Sequence, residues 1–60
     1  MKLKNRTAII TGAGGGLGRS HALMLASLGA RIVVNDLNAA EADRVAEEIR
    51  SRGGEAIGIA

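Results

Sequence analysis

Residues 11–18 read Thr-Gly-Ala-Gly-Gly-Gly-Leu-Gly, with glycine at 12, 14, 15, 16 and 18. So many glycines exclude the interior of a helix or strand, where each costs roughly 0.5–1 kcal/mol relative to alanine. The flanks differ in kind. Ahead lies Thr7-Ala8-Ile9-Ile10-Thr11, uncharged and rich in β-branched residues, which reads as a buried strand. Behind it Leu17, His21, Met24, Leu25 and Leu28 recur at helical spacing, and Gly29 stands where a left-handed stop is expected. A loop that ends a strand and opens a helix presents free N–H groups and the positive end of a helix dipole. Without Cβ atoms in the way, an anion can approach that backbone closely.

The remaining chain repeats this alternation. Arg31-Ile32-Val33-Val34-Asn35 is continuous rather than alternating, as suits a strand of a parallel sheet. Asn38 and Glu41 have capping-box spacing. Ala42, Val45, Ala46 and Ile49 form the stripe of a second helix, which Gly53-Gly54 ends. Residues 56–60 read as a third strand. Strand, helix, strand, helix, strand implies an α/β fold with parallel strands and helical crossovers. If the strands add in one direction, both helices cover one face. About half of Ile9, Ile10, Val33, Val34, Ile57 and Ile59 then lies bare on the other, beside an open strand edge. More protein is expected to cover both.

Composition narrows the options. Sixty residues allow at most one small domain, and there is no Cys, Phe, Tyr, Trp or Pro and a single His. Disulfides and a metal cage are therefore excluded as staples. The net charge of +2 is split: Lys2, Lys4, Arg6, Arg19 and Arg31 face no acid in residues 1–35. Arg44, Arg50 and Arg52 are outnumbered by Asp36, Glu41, Asp43, Glu47, Glu48 and Glu55 in residues 36–60. With no long basic run and no aromatic platform, nucleic acid is not expected as a partner. Ala8-Ile9-Ile10 is too short for a signal core, and no apolar run approaches the ~20 residues of a membrane span. A cytoplasmic or matrix-like location is expected, with no membrane partner.

The glycine loop fails the strict G-x-G-x-x-G spacing, and no Gly-Lys-Ser/Thr follows to make a Walker loop. It does fit T-G-x-x-x-G-x-G through Thr11, Gly12, Gly16 and Gly18. Asp36 follows Gly18 by 18 residues, close to the ~20 expected for a carboxylate that binds an adenosine ribose. With Gly29-Ala30 before the second strand, the chain resembles, over essentially its whole length, the N-terminal segment of a short-chain dehydrogenase/reductase.

That resemblance implies a Rossmann-type doubly wound parallel sheet, of which residues 1–60 form the first βαβαβ portion of an NAD-binding domain. It implies cofactor contacts at Gly12, Gly14, Gly15, Gly16, Leu17, Gly18, Asp36 and Leu37. Members that bind NADP commonly carry a basic residue at the positions held here by Gly15 or Leu37, so NAD is the implied cofactor. The implied reaction is hydride transfer between that cofactor and an alcohol or ketone, in a homo-oligomeric parent acting on a small molecule. Val33-Val34-Asn35-Asp36-Leu37 is also similar to the hydroxyacyl-CoA dehydrogenase region of peroxisomal multifunctional enzymes. The family's Tyr-x-x-x-Lys pair and Ser have no counterpart: there is no Tyr, both Lys are N-terminal, and Ser20, Ser27 and Ser51 stand in no such motif. No catalytic residue is carried over, and the segment alone is expected to be inactive.

Other residues have plainer readings. His21 is expected to pack on its helix stripe, Arg19 to be a solvated helix charge, Asn38 to cap, and Glu47 and Glu48 to lie on a solvated face. A nucleotide-binding module without redox chemistry, epimerase-like or regulatory, is the alternative function. A small basic nucleic-acid binder ranks below both.

Overall fold

The computed structural model describes residues 2–12 and 15–60. Five elements follow in the expected order: β1 (Thr7–Thr11), α1 (Gly16–Ser27), β2 (Arg31–Asn35), α2 (Ala39–Ser51) and β3 (Glu55–Ile59). The third strand begins and ends one residue earlier than the sequence pattern suggests. All pairing is parallel in the order β1-β2-β3, with Ile9, Val33 and Ile57 in one row and Ile10, Val34 and Gly58 in the next. Three parallel strands with two crossover helices form the βαβαβ unit of a Rossmann sheet.

Both helices lie on the Ile32/Val34 face. The core joins Ile32, Val34 and Ala56 of the sheet to Ala22 of α1 and Ala42, Val45, Ala46 and Ile49 of α2. No aromatic ring contributes, and the largest fully buried side chains are Ile32, Ile49, Val34 and Val45. Small residues make the contact close. A Cβ at Gly58 would stand 2.8 Å from Asp43 Oδ1 and 2.9 Å from the Ala42 carbonyl carbon, so the α2 backbone rests on β3. On the opposite face Ile9, Ile57 and Ile59 are exposed, as expected of an uncovered sheet face.

The caps follow the sequence. Asn38 Oδ1 accepts from Ala40 N at 3.0 Å and Glu41 N at 3.3 Å. The reciprocal half of the capping box is absent, because Glu41 instead pairs with Arg44 at 2.6 Å. Gly29 and Gly53 end their helices with φ of 101° and 87°. Among the described residues, no helix is long and apolar enough to cross a membrane.

The stripe on α1 is corrected. Leu17 and Met24 are 73% and 54% exposed, and His21 is exposed rather than packed. Apolar residues surround most of α1, and the side that meets the sheet is its small-residue side, Ala22 with Ala26, flanked by Leu23 and Leu25. Alanine lets the helix approach the strands more closely than Leu17 or Met24 could.

Candidate nucleotide-binding site

Thr11 and Asn35 are register partners at the carboxyl ends of β1 and β2. The residues that follow them, Gly12 and Asp36, therefore leave the sheet along one edge. This is the edge at which open parallel sheets bind ligands.

The chain turns at Gly12. Gly12 has φ +64°, a conformation side chains other than glycine rarely adopt, and its carbonyl accepts from Gly15 N at 3.1 Å. Gly15 is the N-cap of α1 in extended conformation and supplies no side-chain cap; the first turn holds no acid. Its carbonyl accepts from Arg19 N at 2.9 Å, the first main-chain bond of the helix. The start of α1 therefore presents peptide N–H groups and the positive dipole end with no side chain set against them.

Gly16 tests whether a phosphate fits. A Cβ there would meet nothing within 4 Å. Its φ is not positive, so neither backbone strain nor packing calls for glycine at this position. The space beside it is open, so a side chain there would stand where a diphosphate lying against the helix start would come. Gly15 has only an ordinary contact, 3.5 Å to Gly12 O. Gly18 lies half-buried in the first turn, Leu17 projects outward, and Gly14 falls outside the described residues.

Asp36 is half-buried. Its N–H donates to Ile59 O at 3.2 Å, which fixes it to the end of β3, and its Oδ1 accepts from Asn38 N at 2.9 Å. The carboxylate thus also organises the entry to α2, taking the place that Glu41 would have in a full capping box. Leu37, next in the chain, is fully exposed.

Two expectations are corrected here. Arg19 is not a solvated charge: its guanidinium engages Glu48 on α2, Nε donating to Oε1 at 2.8 Å and Nη2 to Oε2. Glu48 is accordingly not on a solvated face, and Arg52 Nη2 joins it at 3.1 Å. The hydrogen bond from Arg19, more than any other influence, holds the Glu48 carboxyl below the usual carboxylate range. The pair is separated by 29 residues, so helical periodicity gives no sign of it.

A hollow of about 490 Å³ lies at the opposite, amino-terminal edge of the strands, among Lys4, Ser27, Gly29, Arg52, Gly53 and Glu55. It sits beside the carbonyl ends of both helices, where the dipoles disfavour an anion. Size notwithstanding, the glycine-loop edge is the better candidate on electrostatic grounds. Among the described residues, no group of His, Cys, Asp and Glu could hold a metal ion.

The fold and the loop define a dinucleotide-binding unit, and comparison with known proteins places it. Residues 6–60 match the family model described as short chain dehydrogenase. The chain belongs to the short-chain dehydrogenase family. It is 46% identical over 66 residues to the peroxisomal multifunctional enzyme type 2 of Drosophila melanogaster, covering 95% of this chain and 11% of that one. It superimposes on a metagenomic short-chain oxidoreductase solved with NADP (TM-score 0.96, 38% identity, 100% of this chain and 27% of that one). It also superimposes on a 7α-hydroxysteroid dehydrogenase solved with NADH and 7-oxo glycochenodeoxycholic acid (TM-score 0.92, 45% identity, 97% and 23%). The chain therefore spans about a quarter or less of the length of these relatives.

Proposed function

We propose that residues 1–60 are the N-terminal part of an NAD-binding Rossmann domain, belonging to an oxidoreductase that exchanges hydride between the cofactor and an alcohol or ketone. In this reading the main chain of Gly12, Gly14, Gly15, Gly16, Leu17 and Gly18 receives the diphosphate. Asp36 accepts the hydroxyls of the adenosine ribose, and Leu37 lies beside the adenine. Bound there, the cofactor would supply the hydride acceptor or donor; the residues of this chain bind and orient its adenosine half. The observation that carries the reading is the open space at Gly16, next to an uncapped helix start and on the same sheet edge as Asp36.

The choice of NAD over NADP rests on charge. A carboxylate at 36 repels a 2′-phosphate, and neither Gly15 nor Leu37 offers a cation to receive one. The resemblance of Val33-Val34-Asn35-Asp36-Leu37 to a hydroxyacyl-CoA dehydrogenase region makes a 3-hydroxyacyl-CoA one substrate class. Titration with NAD, followed by amide chemical shifts, tests the site: the largest changes are expected at residues 12–18 and 36–37. Changes confined to other surfaces would overturn it.

A further inference from the structure

Arg19 joins the glycine loop to the second helix. Its main chain closes the first turn of α1 by donating to Gly15 O at 2.9 Å. Its side chain leaves in another direction and makes a two-pronged contact with Glu48. The side chains of the pair are 35% and 23% exposed, so the contact is partly shielded from solvent. Arg52, one turn along α2, binds the same carboxylate oxygen at 3.1 Å. Glu48 thus gathers two guanidinium groups.

Among its described residues the loop has few other anchors. Glycines offer no side chain to hold, α1 has no side-chain cap, and Leu17 is exposed. Among the described residues from Gly12 onward, Arg19 is the first whose side chain hydrogen-bonds to another element. Main-chain amides bind an anion well only when they are already aimed at it, since reorganising them on binding detracts from affinity. A bidentate, charge-assisted contact fixes geometry more tightly than a single bond.

We propose that Glu48 is a positioning residue for the phosphate-binding end of α1: by gripping Arg19 it fixes the first turn, and with it the amides of residues 15–18, against α2. Arg19 is committed to Glu48 and is not itself a phosphate ligand. The proposal rests on the nucleotide-binding reading above.

The test is binding of ADP and of adenosine, which lacks phosphate, to the protein that carries this chain. Glu48→Gln is expected to weaken ADP on the order of fivefold, leaving adenosine unchanged. The exchange Arg19→Glu with Glu48→Arg is expected to restore ADP binding. Should Glu48→Gln fail to fold, Arg19→Lys keeps the charge, gives up the forked contact and is expected to show the same loss. Unchanged ADP affinity overturns the proposal, as does equal loss for both ligands, the mark of a merely structural contact. Tighter ADP binding also overturns it, because a released Arg19 would then be reaching the phosphate. A wild type that binds adenosine and ADP equally, or neither, removes the nucleotide reading itself.

Discussion

Thr11 and Asn35 stand opposite each other in the parallel register of β1 and β2, so the glycine loop and Asp36 begin side by side. One edge of a small sheet thereby offers a cluster of peptide N–H groups next to a carboxylate. This is the side-by-side placement that the proposed cofactor, with phosphates at one end and sugar hydroxyls at the other, calls for.

Asp36→Ala tests the carboxylate. Hydrogen bonds to a charged group contribute roughly 1.5–3 kcal/mol each, so NAD affinity should fall about tenfold or more. NADP, relieved of repulsion, should lose less, and the NAD-to-NADP affinity ratio should drop. The ratio matters because the same change removes the bond from Asn38 N and slightly loosens the start of α2. An unchanged ratio would falsify the assignment.

Gly16→Ala separates binding from folding. The added methyl meets nothing in the protein, so the melting temperature should hold or rise slightly. Cofactor affinity should nevertheless fall by roughly tenfold, the equivalent of about 1.4 kcal/mol. Equal affinity for both forms would show that no ligand occupies that space.

Gly58→Ala should do the reverse. Its Cβ would press on Asp43 Oδ1, which can swing aside, and on the α2 backbone at Ala42, which cannot. Destabilisation of about 1–3 kcal/mol is expected from such overpacking, measured by chemical denaturation. A neutral result would mean that α2 sits farther from β3 than described.

Glu48 gives a pH signature with a definite sign. Its carboxyl is held below the ordinary value in the folded state, first by the hydrogen bond from Arg19. The stabilisation is therefore complete above the unfolded value, about 4.3, and is lost as pH falls through the lower folded value. The difference in melting temperature between wild type and Glu48→Gln should narrow on acidification through that window. A constant difference across it would show that the pair contributes nothing to the titration.

Much of this molecule is legible in its sequence, for identifiable reasons. Strand and helix alternation shows because glycines at 12, 29 and 53, all with positive φ, mark three of the four changes of direction, and the Asn38 cap marks the other. Asp36 is singled out by its spacing, and the register of Thr11 with Asn35 sets it on the same sheet edge as Gly12. The orientation of α1 is not legible in the sequence, because large apolar residues attract attention while Ala22 and Ala26 make the contact. Nor is the Arg19–Glu48 pair: on a one-dimensional pattern each looks like an exposed charge, and only the packing of α1 beside α2 brings them together. Glu41 misleads in a smaller way, since its capping-box spacing is right but Arg44 takes the carboxylate.

A core assembled from isoleucine, valine and alanine alone has an optical corollary. With no ring or disulfide to absorb, the folded chain is dark in the near ultraviolet. Any ellipticity there in a mixture with nucleotide belongs to the nucleotide, whose chiral ribose gives it a signal even when free. Residues 1–60 add nothing to it, so occupancy of the loop reads as the change in the nucleotide's own signal when this segment is added.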